Sequence, residues 1–196
     1  MDCDRPIACH DGGAMNQSSR DAPPRRRVIA PPLRRLAAVV IDGATYLIIP
    51  ALLLPLGLLL VRRGVVLSSL AVNALALALV IAPSTAWATG REARPRGATV
   101  GKRLLRLRVI DERTGALPVH RQALIRNLIK IALPWELGHT VALGYANLEG
   151  GPVPVWLWVL TAVTYSWLLA NLLLLLLPSG KPVHDRLAGT VVQTTT

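Results

Sequence analysis

LRRLAAVVIDGATYLIIPALLLPLGLLL, from Leu33 to Leu60, decides the fold class of this chain. After two arginines the stretch is almost wholly apolar, and Asp42 is its one acidic residue. About 20 apolar residues are enough for a helix to cross a hydrocarbon core of roughly 30 Å. Apolar side chains occupy every face of this segment, whereas a soluble amphipathic helix has only one apolar face. We therefore predict a transmembrane helix.

Asp42 is the residue of this helix that most needs an explanation. An ionised carboxylate at the centre of a bilayer costs about 2.5–3.5 kcal/mol on insertion scales. Asp42 must therefore be protonated, be paired, or face water or a polar interior. Arg35 lies two helical turns earlier on nearly the same face, about 10 Å away along the axis. That distance is too long for a direct salt bridge, although a third group could join the two side chains.

The composition of the whole chain indicates an integral membrane protein with polar tails and loops. Hydrophobic residues make up 52% of the 196 residues, and they occur in blocks. The net charge of +11 is compatible with nucleic-acid binding, but no recognition module accompanies it. Charge asymmetry across a bilayer and attraction to anionic lipid explain it more simply. We predict no nucleic-acid partner.

The apolar blocks predict an all-α, polytopic bundle of membrane helices. The predicted regions are a disordered basic tail at 1–32, a transmembrane domain at 33–192 and a C-terminal tail at 193–196. The clear crossings are 36–61, 65–89 and 153–177. Pro50 and Pro55 are expected to bend the second half of the first crossing. The positive-inside rule assigns the arginine-rich loop 90–121, and the N-terminus, to the cytoplasm.

Segment 121–148 leaves two topologies open. Arg126 and Lys130 recur on one polar face of an amphipathic helix, which suits the membrane interface or lipid headgroups. Pro134 is expected to break that helix. If the segment crosses as a broken helix there are four crossings, and if it only dips into the interface there are three. Basic residues in the C-terminal tail favour four crossings, because that number returns the tail to the cytoplasmic side.

Inside the basic loop, alternating residues predict a short strand. Leu105, Leu107 and Val109 alternate with arginines, and residues 112–115 have the composition of a turn. A small hairpin resting at the interface would satisfy this pattern. The basic residues expected to contact anionic lipid are Lys102, Arg103, Arg106 and Arg108.

Four blocks, in order, resemble the RDD family of bacterial membrane proteins. They are RLAAVVID at 35–42, GATVGKRLLRLRV at 97–109, LIRN at 124–127 and HDRLAGTVV at 184–192. That family is named for one arginine and two aspartates, and the resemblance places them at Arg35, Asp42 and Asp185, with Asp111 a weaker match for the second aspartate. It implies a multi-pass protein of the bacterial inner membrane with a cytoplasmic N-terminus. Many relatives have glycine where this chain has Arg106.

The resemblance implies two functions that remain open at this point. A few members are implicated in sodium–proton exchange, which would make this chain a transporter or exchanger of a small ion with Asp42 as its protonatable group. The alternative is a non-transporting accessory or assembly protein that binds anionic lipid or partner helices. For Asp42 itself, a structural hydrogen-bond hub competes with an ion or proton site.

Other polar residues have a structural and a functional interpretation as well. Glu136 and His139 share a helix face, but one such pair has too few ligands for a stable metal site. Asp185 is expected near Arg35, Lys102 and Arg103, or as the cap of a short helix that begins at Arg186. No catalytic pattern is present, so we predict no enzyme, no cofactor and no metal. A bundle this small leaves little room for a pathway of its own, which favours a homo-oligomer.

Overall fold

The computed structural model describes residues 29–148, 150–177 and 179–195. Most of the predicted N-terminal tail, up to residue 28, lies outside them. The elements are α1 (Pro32–Tyr46), α2 (Ile48–Arg62), α3 (Ser69–Ala76), α4 (Ala82–Glu92), α5 (Val100–Leu104), β1 (Leu107–Asp111), α6 (His120–Asn127), α7 (Leu133–Ala146), α8 (Val155–Leu176), α9 (Val183–Ala188) and β2 (Thr190–Thr194). Two π-helical segments, Leu77–Ile81 and Leu128–Ala132, join α3 to α4 and α6 to α7.

Three helices of the described chain are long and apolar enough to cross a membrane. They are Pro32–Arg62, Ser69–Glu92 and Val155–Leu176. Together α6, the second π-helical segment and α7 form one more uninterrupted helix, His120–Ala146, which carries charged side chains along its length. The chain is therefore a helical membrane bundle in which this additional helix differs from the others by its charge.

Two prolines in the bundle, Pro83 and Pro134, follow π-helical segments. Pro134 does not break its helix, so that prediction is wrong: the π-helical segment Leu128–Ala132 ends two residues before it. A π turn bonds each N–H to a carbonyl five residues back, and this shift accommodates a residue that has no N–H. Leu77–Ile81 stands in the same relation to Pro83. The two π-helical segments also pack against each other.

The first crossing is one long helix with a single irregular residue near its prolines. Leu47 alone separates α1 from α2, and its backbone angles remain helical, with φ −70° and ψ −11°. The helix then continues through Pro55. Pro50 has no N–H to donate to the carbonyl of Tyr46, so the backbone loses its regular bonding just before the proline. The irregular residue therefore lies near the middle of the helix.

Side-chain contacts show which helix ends lie together. At one end, the start of α1 meets α9, where Arg35 Nη2 is 2.6 Å from Asp185 Oδ2. At the other end, Asn147 Nδ2, just after α7, donates to Ser69 Oγ at the start of α3, 2.8 Å away. Since α8 returns to α9, the helix His120–Ala146 runs from the first end of the bundle to the second.

A two-stranded sheet closes the first end. β1 pairs antiparallel with β2, in register from Leu107↔Thr194 to Asp111↔Thr190. The strand thus has a partner near the C-terminus instead of a local hairpin, and residues 193 and 194 are part of β2, not of a separate tail. Val109 and Val192 pack beneath the sheet with Ala38 of α1. This apolar cluster fixes the sheet against the first transmembrane helix.

Candidate functional site

One continuous chain of buried ion pairs lies at the end of the bundle that carries the sheet. Three cations meet three carboxylates, so the set is electrically neutral, and each residue is at most 5% exposed. We call this set the charge network. Its contacts are Arg35 Nη2–Asp185 Oδ2 at 2.6 Å, Arg126 Nε–Asp185 Oδ1 at 2.7 Å, Arg126 Nη1–Glu92 Oε1 at 2.7 Å, Lys102 Nζ–Glu92 Oε1 at 2.7 Å and Lys102 Nζ–Asp42 Oδ2 at 3.5 Å.

Asp185 ties α9 to two other helices. Its carboxylate accepts from Arg35 and Arg126, and from Thr190 Oγ1 at 3.2 Å. Burial acts to raise the pKa of Asp185, but the cationic neighbours, Arg126 foremost, hold it below its ordinary value. The helix begins at Val183, so Asp185 is inside its first turn and the predicted capping role is wrong. Its side chain points into the network because two guanidinium groups reach it there.

Asp42 receives a bond at each of its carboxylate oxygens. Thr99 Oγ1 donates to Oδ2 at 2.6 Å, and the Gly101 backbone N–H donates to Oδ1 at 2.8 Å. Glycine is required at this contact, because a Cβ on Gly101 would lie 2.3 Å from the carbonyl oxygen of Ala38. The close approach of α5 to α1 therefore brings the polar start of α5 onto Asp42.

Lys102 is at the centre of three oxygen atoms. Its ammonium is 2.7 Å from Glu92 Oε1, 3.0 Å from Thr99 Oγ1 and 3.5 Å from Asp42 Oδ2. We call Asp42, Glu92 and Thr99 the oxygen cluster. Lys102 is only 3% exposed, so its predicted contact with lipid headgroups is wrong. Arg103, Arg106 and Arg108, for which the same contact is predicted, are exposed.

Two clefts approach the oxygen cluster. The first, of about 250 Å³, is lined in part by Lys102 and Arg126. The second, of about 410 Å³, is lined in part by Asp42. Val39, Lys130 and Pro134 line both clefts, which places them at the boundary between the two. The Asp42–Lys102 contact thus has one partner in the wall of each cleft.

A family comparison identifies the architecture that carries this network. The model of the RDD family matches residues 29–189, which include every member of the charge network. The chain belongs to the RDD family. No curated protein and no solved structure matches it. Membership and the apolar helices together make it a membrane protein.

Of the two candidates for the second aspartate of the RDD pattern, Asp185 and Asp111, only Asp185 is in the charge network. Asp111 lies at the end of β1, where Gln122 Nε2 donates to its carboxylate at 2.5 Å. That bond, together with donors from the turn at Thr114 and Arg113, lowers the pKa of Asp111 to about 2. Asp111 therefore stabilises the sheet turn against α6.

Arg35 and Asp42 are too far apart along α1 for a direct salt bridge, and the charge network contains the residues that connect them. Asp185, Arg126, Glu92 and Lys102 connect them in that order. Arg126 is 2% exposed and bonded to Asp185 and Glu92, so its predicted contact with lipid headgroups is wrong. An amphipathic pattern identifies a polar face, but it does not distinguish lipid headgroups from buried carboxylates.

Glu92 is the network residue that sequence reasoning missed. It is fully buried and accepts from Lys102, from Arg126 and from Asn127 Nδ2 at 3.0 Å. Its position beside a run of arginines makes it look like part of a solvated loop. The usable signal was that no other acidic residue occurs between Asp42 and Asp111.

A second polar cluster joins two helices away from the network. Asn73 Nδ2 donates to Glu136 Oε2 at 2.9 Å, and His139 Nδ1 donates to Asn73 Oδ1 at 2.6 Å. The rings of Trp135 and His139 are stacked, with centroids 5.7 Å apart. Asn73 thus connects the two residues that the sequence places on one face of the helix. This geometry is an interhelical bridge, as expected for an amide at membrane depth.

Proposed function

We propose that this RDD protein exchanges a small monovalent cation for a proton at the oxygen cluster around Lys102. The observation that carries the proposal is the convergence of two carboxylates and a hydroxyl on one ammonium. Oxygen ligands of this kind suit small, hard cations. The Lys102 ammonium therefore occupies the position that a bound metal cation would take.

Charge balance selects the stoichiometry. A cation that replaces the ammonium leaves the network neutral only if it carries a single charge and if Lys102 releases one proton. A divalent ion would leave an extra positive charge among buried groups, which is costly. One cation enters the oxygen cluster as one proton leaves Nζ, and the reverse step restores the salt bridges.

The clefts support access from two directions. Lys102 lines one of them and Asp42 lines the other, so the ion can reach the same contact from either cleft. Exchange requires that the two routes are not open together, and the shared residues Val39, Lys130 and Pro134 are at the boundary where closure would act.

For the topology, we propose four crossings in a bacterial inner membrane, with both chain ends in the cytoplasm. The helix His120–Ala146 is long enough to serve as the third crossing, and it joins opposite ends of the bundle. Pairing of Arg126 inside the charge network lowers the cost of placing its charge near the membrane. The exposed arginines of α5 and β1 suit the cytoplasmic side.

Proteoliposomes with a trapped pH-sensitive dye and an imposed sodium or potassium gradient test the exchange. We expect the wild type to move protons against the cation, and Asp42→Asn to insert normally but to reduce the rate by about tenfold or more. Asp111→Asn is the matched control, since Asp111 lies outside the network, and should keep the wild-type rate. A wild type no faster than empty liposomes would make the proposal wrong. Normal flux from Asp42→Asn, or its failure to insert, would leave Asp42 with a structural role only.

Replacement of the tethered ammonium gives a second test. Lys102→Gln leaves the network with one surplus negative charge, which a bound cation can neutralise. We expect thermal stability of this variant to rise with sodium or potassium concentration at constant ionic strength, while proton coupling is lost. Stability that does not depend on the cation would count against the oxygen cluster as its site.

The exposed arginines favour a second candidate function, in which the protein does not transport but binds anionic lipid as an accessory protein. Arg103, Arg106 and Arg108 lie on the outer surface of the end that carries the sheet. Each such charge near an anionic surface is worth about 1 kcal/mol. Tight retention of anionic lipid in the purified protein, lost when these arginines are replaced by glutamine, together with absence of flux, would support this function instead.

A further inference from the structure

Four residues in the wall of the second cleft carry hydrogen-bond donors that the protein does not use. Tyr46, Ser84, Lys130 and Trp135 all contribute to its wall. Among the residues that the structure describes, Tyr46 OH, Ser84 Oγ, Lys130 Nζ and Trp135 Nε1 are buried atoms without a hydrogen-bond partner. They come from three different helices, so their convergence is a property of the tertiary fold. We call this space the donor cleft.

Unused buried donors are costly, and here they occur together. Each donor left without an acceptor costs about 1–3 kcal/mol. Scattered cases are found in many proteins, but four in the wall of one cleft indicate a ligand that supplies acceptor atoms. Two of the four, the lysine and the indole, can only donate.

The charge of the donor cleft points to an anion. The charge network is balanced without Lys130, so Lys130 in its protonated form adds a surplus positive charge. Asp42 also lines the cleft, but its oxygens already accept from Thr99 and Gly101 and face Lys102. No carboxylate in the described part of the chain lies within salt-bridge distance of Lys130. An anion is therefore the missing partner.

The rest of the wall selects the kind of anion. Val39, Leu47, Val80, Ile81 and Ile131 make most of the surface apolar, and the cleft measures about 410 Å³. Lys130 is about 15 Å along the helix from His120, at a rise of about 1.5 Å per residue. In the four-crossing topology proposed above, this position is deeper than the headgroup layer. A single negative charge neutralises Lys130, whereas a phosphate dianion would bring an extra charge into an apolar region.

We propose that the donor cleft binds an organic monocarboxylate, with its head on Lys130, Ser84 and Trp135 and its apolar tail against the aliphatic wall. A short acid from water and a fatty acid from the bilayer share this chemistry. The inference goes beyond the proposed cation exchange and does not depend on it, because it requires no cation at the oxygen cluster and no proton transfer from Lys102. A carboxylate bound here would nevertheless lie beside Asp42 and add a negative charge next to the network.

Quenching of Trp135 fluorescence by brominated acids tests the site. The full-length protein in nanodiscs is titrated with bromohexanoate, with bromohexanol as the uncharged match, and with bromostearate as the bilayer-borne acid. We expect saturable quenching by at least one of the acids and only linear quenching by the alcohol. Trp135→Phe should remove the saturable part, which assigns it to this residue. Saturable quenching by bromostearate alone would show that the ligand enters from the bilayer. Saturable quenching by bromohexanoate would show that it enters from water.

Variants separate recognition of the carboxylate from simple partitioning. Lys130→Met should lower the affinity for the acid by about tenfold to a hundredfold, and Ser84→Ala should lower it by about threefold to tenfold. Arg121→Gln, an exposed position on the same helix, is the matched control and should bind as the wild type does. Equal quenching by acid and alcohol, or wild-type affinity in Lys130→Met and Ser84→Ala, would overturn the proposal. The thermal shift gives an independent reading, since the acid should stabilise the wild type but not Lys130→Met.

Discussion

Replacing Glu92 with glutamine tests whether the charge network holds the bundle together. The carboxylate is fully buried and accepts from Lys102 Nζ and Arg126 Nη1, both at 2.7 Å. Glutamine keeps the shape but removes the negative charge, and the network changes from neutral to a net charge of +1. Its amide group would also present N–H donors toward groups that are themselves donors.

The expected loss follows from the burial of both cations. Removal of one partner from a buried ion pair costs about 3–5 kcal/mol, because the remaining charge stays without compensation. At about 2–4 °C per kcal/mol for a chain of this size, the melting temperature of Glu92→Gln should fall by roughly 6–20 °C. A double variant that also carries Lys102→Gln removes one charge of each sign, so we expect it to recover at least about 1 kcal/mol of the loss.

Thermal unfolding in one detergent, followed by light scattering and tryptophan fluorescence, provides the comparison. Glu112→Gln is the matched control, because Glu112 pairs with Lys181 where their side chains are 40% and 25% exposed. A surface pair of this kind is worth at most about 1 kcal/mol. If the free energy of unfolding of Glu92→Gln is within about 1 kcal/mol of the wild-type value, or its melting temperature is no lower than that of Glu112→Gln, the charge network does not stabilise the fold.

Two further predictions concern the end that carries the sheet. Arg106 has φ 50°, a backbone conformation that glycine adopts without strain, so Arg106→Gly should stabilise the protein by about 1 kcal/mol. The control Arg103→Gly, within α5, should destabilise it by a similar amount. Equal effects of the two substitutions in thermal melts would contradict this prediction. Burial lowers the pKa of His184 from 6.5 to about 3, an effect that nearby Asp185 opposes only in part. Because the unfolded chain then takes up a proton that the folded chain excludes, stability should fall as the pH drops below 6.5, by up to about 1.4 kcal/mol per pH unit. His184→Gln should make the stability profile flatter between pH 6.5 and 3, and an unchanged profile would contradict the assignment.

The positions of the membrane helices could be predicted because they depend on local composition. The predicted crossing at 153–177 compares with Val155–Leu176, and the one at 36–61 lies within Pro32–Arg62. The second helix starts later than predicted, at Ser69, since Ser68 Oγ accepts from the Ala71 N–H and caps it. Hydropathy detects an apolar block, but it does not detect the capping residue at which the helix begins.

The partners of the charged residues could not be predicted from the sequence in the same way. The contact between Arg35 and Asp185 joins residues 150 positions apart, and that between Asp42 and Thr99 joins residues 57 positions apart. Neither leaves a periodic pattern. The resemblance to the RDD family brings these residues to attention, but the role of Glu92 depends on three helices that meet only in the fold.

Two kinds of buried charge are present in this bundle, and the sign of a stability change separates them. Arg35, Asp42, Glu92, Lys102, Arg126 and Asp185 balance one another, so neutralising any one of them leaves an uncompensated charge and should destabilise the protein. Lys130 is different, because its buried ammonium has no hydrogen-bond partner among the described residues. Lys130→Met should therefore raise stability when no acid is present, since it removes the cost of burying a lone charge. A residue that destabilises its own protein is retained for something it binds, so a loss of stability in Lys130→Met would place Lys130 with the structural charges and argue against the donor cleft as a ligand site.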